Sequence, residues 1–310
     1  MSVQSAWPLN NYKQQCIHIF CYHGLGDVIR FAVPLAHAFH RADATVFLHT
    51  RSVLATTIGQ QPTGINIVAV TDDFVTSDNT MNTLLSQLPK PDLALGLGGS
   101  FFDVAAAKAL QAANIPYWGA ECNDTNSFYS TSQHWLNTME VNKSRDYLFK
   151  IIGLASISQD EILINPQPTQ NFTLPKNSVG LHTKAMWPAR YYNQGPELLA
   201  LLQGKYNVWN FDAPPCNSIG DLAWHIKQSK AVLSVDTMVI HLCRALNVPA
   251  LMIQGPVWHH PDNAPHVIEF TRTTQRPQAN NQIDKQSDAL SKIPPERILE
   301  AFEEFVNSLD

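Results

Sequence analysis

The stretch Ala231-Val232-Leu233-Ser234-Val235-Asp236-Thr237-Met238-Val239-Ile240-His241-Leu242 changes its period halfway along. Its first five residues are apolar apart from Ser234, the pattern of a strand covered on both faces. Beyond Thr237 the apolar positions follow helical spacing. Thr237 at the join is a favoured helix N-cap. A strand running straight into a helix puts the helix N-terminus beyond the strand's carboxyl end. There the unused N–H groups and the positive end of the dipole suit an anion. His241 follows Thr237 by one helical turn and shares its face. Singly these residues are a cap, a cap partner and a core histidine. Together, Asp236, Thr237 and His241 converge on one phosphate-sized spot, with the backbone of Met238 beside them.

The same alternation repeats outward in both directions. Towards the C-terminus, strands are expected over residues 179–182, 206–211, 231–235 and 250–253, and helices over 191–203, 219–228 and 238–246. Towards the N-terminus, strands are expected over 17–22, 45–49, 65–70, 92–96 and 115–118, with helices over 28–40, 53–60, 79–88 and 101–113. Strands alternating with helices of this length are βαβ units around a parallel sheet. Pro34 is expected to kink or shorten its helix. Residues 134–155 read as helical and 272–291 as polar loop. Pro294 and Pro295 open a last helix over 296–307, because proline is tolerated in a first turn.

Residues 165–177, NPQPTQNFTLPKN, carry proline and amides with almost no charge, the composition of a linker. The expected organisation is an N-terminal α/β domain over 1–170, a C-terminal α/β domain over 171–293, and a closing helix over 294–310.

Bulk properties narrow the class. The chain has 310 residues, long enough for two ordinary domains, and 45% of them are apolar, which excludes wholesale disorder. Lys and Arg total 21 against 26 Asp and Glu, a net charge of −5, which argues against a nucleic-acid partner. The opening residues, MSVQSAWPLNNYKQQ, do not read as a signal peptide. No apolar run reaches the roughly 18 residues of a membrane helix. The 5 cysteines are scattered without a CxxC pair, so neither a zinc site nor a disulfide framework is expected. A reducing cytoplasm is the expected location.

In parallel sheets, ligands bind beyond the carboxyl ends of the strands. Three further loops fall there. His23-Gly24-Leu25-Gly26-Asp27 joins the first strand to its helix. Its glycines allow close backbone approach. Asp27 reads either as a helix cap or as a general base. Leu97-Gly98-Gly99-Ser100 forms a second glycine turn, which reads as a tight turn or as the wall of an acceptor pocket. Lys184, in Leu181-His182-Thr183-Lys184-Ala185-Met186-Trp187-Pro188, stands where a phosphate would approach. An ammonium is a compact partner for such an anion. The plainer reading is a solvated loop lysine.

Taken in order, these motifs resemble glycosyltransferase family 9, the ADP-heptose:lipopolysaccharide heptosyltransferases. Asp236-Thr237-Met238 followed by His241 resembles the family's Asp-Thr-Gly turn and its later His, with Met238 where the family has glycine. Gln254-Gly255-Pro256 resembles its Phe-Gly-Pro loop, Gly26-Asp27 its Gly-Asp, and Lys184 with Trp187-Pro188 its phosphate-binding Lys and Trp-Pro.

The resemblance implies a GT-B fold, two Rossmann-like domains facing across a cleft, with the last helix packing back on the N-terminal domain. It implies an inverting, metal-independent sugar transfer, heptose-like, from a nucleotide-diphosphate sugar to an acceptor hydroxyl. The absence of an Asp-x-Asp motif agrees with that. Asp27 would be the catalytic base. Lys184, Asp236, Thr237, Met238 and His241 would hold the donor, and Gly26, Gly98 and Gly99 would line the acceptor side.

No cofactor is implied beyond the donor itself, ADP-linked by preference. The acceptor would be a glycan, lipid-linked or protein, as in lipopolysaccharide biosynthesis, with at most peripheral membrane association. A non-catalytic nucleotide-sugar-binding protein of the same fold remains the alternative. A two-domain sugar epimerase would need a second acid/base in the cleft, such as Glu121 or His182.

Overall fold

The structure is a computed structural model. It describes residues 11–22, 24–59, 61–71, 78–97, 108–110, 112–115, 117–120, 131–133, 149, 152–155, 157, 173–185, 190–213, 218–254, 267–269 and 290–309. The chain divides into two compact units, Met1–Asn165 and Pro166–Asp310.

The first unit is built on a parallel sheet. Its strands are β1 (Cys16–Phe20), β2 (Thr45–Arg51), β3 (Ile65–Val70), β4 (Leu93–Gly96), β5 (Tyr117–Ala120) and β6 (Thr131–Gln133). They lie in the order β3-β2-β1-β4-β5-β6. This is the Rossmann strand order, and it reverses direction between β1 and β4. β1 is central, and Ile17, Ile19 and Phe20 are fully buried, as a strand covered on both faces requires. Phe20, Tyr22, Met81, Ala94 and Leu110 form part of one core.

Between β1 and β2 the chain stays helical from Leu25 to Arg41, but not uniformly. A short turn, Leu25–Asp27, leads into a π segment, Val28–Ala32, and then into helix α1 (Val33–Arg41). The amide of Val33 reaches back to the carbonyl of Val28. Pro34 was expected to kink or shorten the run. Instead the turn before it is widened. Proline offers no N–H to the carbonyl four residues back and its ring crowds that carbonyl, and a π turn gives it room.

Helices α2 (Ser52–Ile58) and α3 (Asp78–Ser86) match the expected positions to within about two residues. The helix expected over 101–113 is helical at 108–110, and its first part lies outside the described residues. Most of the helical reading of 134–155 also lies outside them.

The second unit holds β7 (Ser178–His182), β8 (Asn207–Asn210), β9 (Ala231–Val235), β10 (Ala250–Ile253) and β11 (Val267–Glu269), all parallel, in the order β11-β10-β9-β7-β8. Helices α4 (Gly195–Gln203), α5 (Ile219–Gln228) and α6 (Met238–Ala245) follow β7, β8 and β9. Strands β6 and β11 were not expected, since three residues are too few to show a period. Every residue of β9 is buried. Glycine is required at position 180, where a Cβ would lie 2.4 Å from the Phe211 ring. The chain turns out of α6 at Asn247, in the left-handed region at φ 55°.

The last helix, α7 (Pro295–Asn307), begins with proline in its first turn as expected. Its buried side Ile298, Leu299, Phe302, Phe305 and Val306 joins Val179, Leu198, Leu233 and Ile253 in the core of the second unit. The Tyr192 hydroxyl donates to the carbonyl of Ile293 at 2.7 Å and anchors its entry, and Lys205 pairs with Glu303. The apolar stripe of α7 matches the open face beside α4, so burial holds it within the second unit. Among the described residues, no helix is long and apolar enough to cross a membrane.

Candidate functional site

In each unit the crevice for a ligand falls where the strand order reverses, outside the carboxyl ends. In the second unit that place lies between β7 and β9. His182 stands opposite Ser234 in register, so Thr183-Lys184 leaves the sheet beside Val235-Asp236. On the other side of β7, Leu181 is opposite Asn210, which brings Asp212 level with the same loop.

Asp212 organises the loop after β7. One carboxylate oxygen, Oδ2, accepts from the Thr183 amide at 2.8 Å and from the Thr183 hydroxyl at 2.7 Å. The other, Oδ1, accepts from the Lys184 amide at 3.1 Å and lies 2.7 Å from His182 Nδ1. Burial pushes the Asp212 carboxyl upward, but the neighbouring His182 and the Thr183 hydroxyl and amide outweigh it and hold the carboxyl down at about 2.

Thr183 is pinned from the far side as well. Its carbonyl accepts from the Tyr192 amide at 2.9 Å, and a Cβ at Gly195 would come within 2.4 Å of its hydroxyl. Lys184 is exposed, with its ammonium 3.5 Å from the Asp212 carbonyl oxygen.

Asp236 is 2% exposed, and its Oδ2 lies 3.3 Å from Arg190 Nη1. Thr237 has extended backbone, and its hydroxyl accepts from the Val239 amide at 3.3 Å, so it is the N-cap of α6 that its sequence suggested. The Ile240 amide reaches the Thr237 carbonyl. Met238 is the first helical residue, whose amide a helix does not use itself. Met238 and His241 are both half-buried on α6. Lys184, Arg190 and the N-terminus of α6 thus bring two cations and a helix dipole to the ends of adjoining strands.

In the first unit the reversal lies between β1 and β4, the two strands whose following loops carry the glycine motifs. Of these, His23, Gly98, Gly99 and Ser100 lie outside the described residues. A Cβ on Gly24 would meet nothing within 4 Å, so the backbone there stands in open space. Gly26 is half-buried in the short helical turn. Asp27 is also half-buried, helical at φ −70° and ψ −37°, with its amide bonded to the Gly24 carbonyl. Its side chain makes no N-cap hydrogen bond, and it stands as an acid in the first helical turn.

Met186, Trp187, Pro188, Gly255 and Pro256 also lie outside the described residues. Two residues escaped the sequence reading. Asp212 directly follows the strand expected over 206–211, so the rule of carboxyl ends pointed to it. Arg190 had no such signal, because only the fold carries it to Asp236.

No protein-family model matches the sequence, and no curated protein matches it. Solved structures do. A glycosyl transferase family 9 protein from Veillonella parvula superposes with a TM-score of 0.73 at 14% identity, covering 97% of this chain and 99% of the other. The E. coli heptosyltransferase WaaC, solved with ADP-2-deoxy-2-fluoro heptose, gives 0.62 at 15% identity, with 93% and 99% covered. E. coli ADP-heptose lps heptosyltransferase II gives 0.63 at 15% identity, with 95% and 99% covered. These likenesses are likenesses of fold. The fold is the GT-B type of these glycosyltransferases, with two Rossmann-like α/β units.

Proposed function

We propose that the protein is a heptosyltransferase-like glycosyltransferase, moving a sugar from a nucleotide-diphosphate sugar to an acceptor hydroxyl without a metal and with inversion. One observation carries this reading. At the strand-order reversal of the second unit, Lys184, Arg190 and the N-terminus of α6 gather beyond the ends of β7 and β9. The exposed Lys184 ammonium and the first amides of α6, with Arg190 held beside them by Asp236, suit a diphosphate leaving group, whose charge grows as the glycosidic bond breaks.

Thr237, the Met238 amide and His241 would complete the donor site. Asp236 would orient the turn. Asp27, helical and half-buried beyond β1, would take the acceptor's proton, and Gly26 and the glycines at 98 and 99 would leave room for the acceptor. An ADP-linked donor is favoured, since the fold is shared with a heptosyltransferase solved with an ADP-heptose analogue. The acceptor would be a glycan on a lipid or a protein.

Met238 supports a second reading. A half-buried side chain at the first residue of α6, where the resembling family has glycine, suits a nucleotide-sugar-binding protein that no longer turns over. A panel of nucleotide sugars separates the two. ADP-heptose is expected to raise the melting temperature, by about 2.7 kcal/mol of stabilisation at 100 times its dissociation constant. ADP release on adding an acceptor glycan supports transfer. Binding without release supports the second reading, and no shift with any nucleotide sugar overturns both.

A further inference from the structure

The loop that carries Lys184 is held by a carboxylate from the turn that follows another strand, β8. Asp212 uses its two oxygens differently. Oδ2 serves Thr183 through both amide and hydroxyl, and Oδ1 serves the Lys184 amide. The amides of Thr183 and Lys184 are therefore occupied by the protein's own anion. What Lys184 itself offers a ligand is its ammonium, which rests 3.5 Å from the carbonyl oxygen of the same Asp212.

We infer that Asp212 is a positioning residue of the donor site, setting the backbone at Thr183–Lys184 so that the Lys184 ammonium is presented to a nucleoside diphosphate. The inference rests on the donor-site reading of the second unit.

The alternative is that Asp212 only stabilises the loop. Its negative charge beside an anion site then weakens diphosphate binding, and removing it should tighten the complex. The two cases predict opposite signs. Asp212→Asn is the discriminating variant, because its two ends fall on different partners. With its amide oxygen kept on Thr183, its NH2 group faces the Lys184 N–H, donor against donor. The Thr183 contacts survive and the side-chain volume is unchanged, while the Lys184 contact is broken and the charge facing His182 Nδ1 is removed.

ADP is the probe, and its affinity is measured by calorimetry on the full chain. Asp212→Asn is expected to bind ADP about 10-fold more weakly than the unaltered protein, the scale of losing one charge-assisted hydrogen bond. The same substitution made on top of Lys184→Ala is expected to change affinity less than about 2-fold, since its effect runs through Lys184. Tighter binding by Asp212→Asn, or an equal loss in both backgrounds, overturns the inference.

Should Asp212→Asn fail to fold, Asp212→Glu keeps the charge while displacing the carboxylate, and it is read in the same way. If neither variant folds, Asp212 is a stability residue and the inference falls. Failure of the unaltered protein to bind ADP, UDP or GDP overturns the donor-site reading and this inference together. Binding that ignores Asp212 overturns the inference alone.

Discussion

Lys184 and Asp27 are asked to do chemistry from opposite units, and each is tested by a single atom-level change. Lys184 is exposed, so its charge reaches a ligand through solvent-screened space until the ligand arrives and displaces water. Lys184→Ala is expected to weaken ADP binding by about 1.5–3 kcal/mol, the value of a charge-assisted hydrogen bond to phosphate. Calorimetry showing unchanged ADP affinity would remove it from the site. Asn is nearly isosteric with Asp and equally favoured at a helix start, so Asp27→Asn should leave the melting temperature nearly unchanged. An amide cannot take the acceptor's proton, and transfer is expected to slow by about 10²–10⁴-fold. Initial rates beside melting curves check both halves. Near-normal turnover would send the search for the base elsewhere. Both positions were candidates in the sequence because each lies on the stretch that follows a strand. Arg190 was not, since its partner Asp236 is distant in sequence and meets it only across the sheet.

At the scale of elements, the site depends on how strands hand over to helices. α6 begins as its sequence suggests, with Thr237 accepting from the Val239 amide. The unusual feature is the side chain of Met238 at its first residue. Met238→Gly removes bulk at the helix mouth and costs the helix less than about 1 kcal/mol, because glycine is penalised most in helix interiors. ADP affinity is expected to be kept or improved, read by calorimetry. Loss of binding in a folded variant would give Met238 a contact of its own with the ligand. The helical run after β1 shows a limit of pattern reading. Pro34 was visible in the sequence and a kink or a shorter helix was expected from it, but a widened turn satisfies the proline's geometry as well. The π segment Val28–Ala32 is the outcome that also keeps Val28, Phe31 and Ala32 buried.

For the whole molecule, the acid limit is set by buried imidazoles. His18 on β1 and His49 on β2 are fully buried on adjoining strands, with His49 Nε2 3.0 Å from His18 Nδ1 and the His49 ring stacked on Phe20 at 4.2 Å. Burial lowers His18 to about 4, against a smaller upward pull from the Pro89 carbonyl. Burial, then the neighbouring His18, lowers His49 well below its usual value. Burial lowers His37 and His225 too. A histidine depressed in the folded state binds its proton first in the unfolded chain. Its contribution is complete above about pH 6.5 and is lost as pH falls towards 4, where the unfolded state takes up more protons. For His18 alone the loss is about 3 kcal/mol. Asp212 adds a further loss only lower, between about pH 3.8 and 2. Melting temperature is therefore expected to fall steadily from pH 6.5 to pH 4, and to fall less in His18→Leu/His49→Leu. A melting temperature flat over that window would mean that the imidazoles are reached by solvent.

The sequence by itself determined the two α/β units, most strand positions, the proline start of the last helix and the loops that carry Asp27, Lys184 and Asp236. These are local properties, written in periods of 2 and 3.6 residues and in the residues that interrupt them. Tertiary structure decided the rest. Strand order is a matter of which edges pair, and it alone places Lys184 beside Asp236 rather than at a sheet margin. The partner of the last helix was decided by which core its apolar stripe could complete, and that was the core of its own unit. The carboxylate that holds the Lys184 loop comes from the turn after β8, 28 residues further along the chain. No spacing in the sequence encodes that contact, because it exists only once two parallel strands lie side by side.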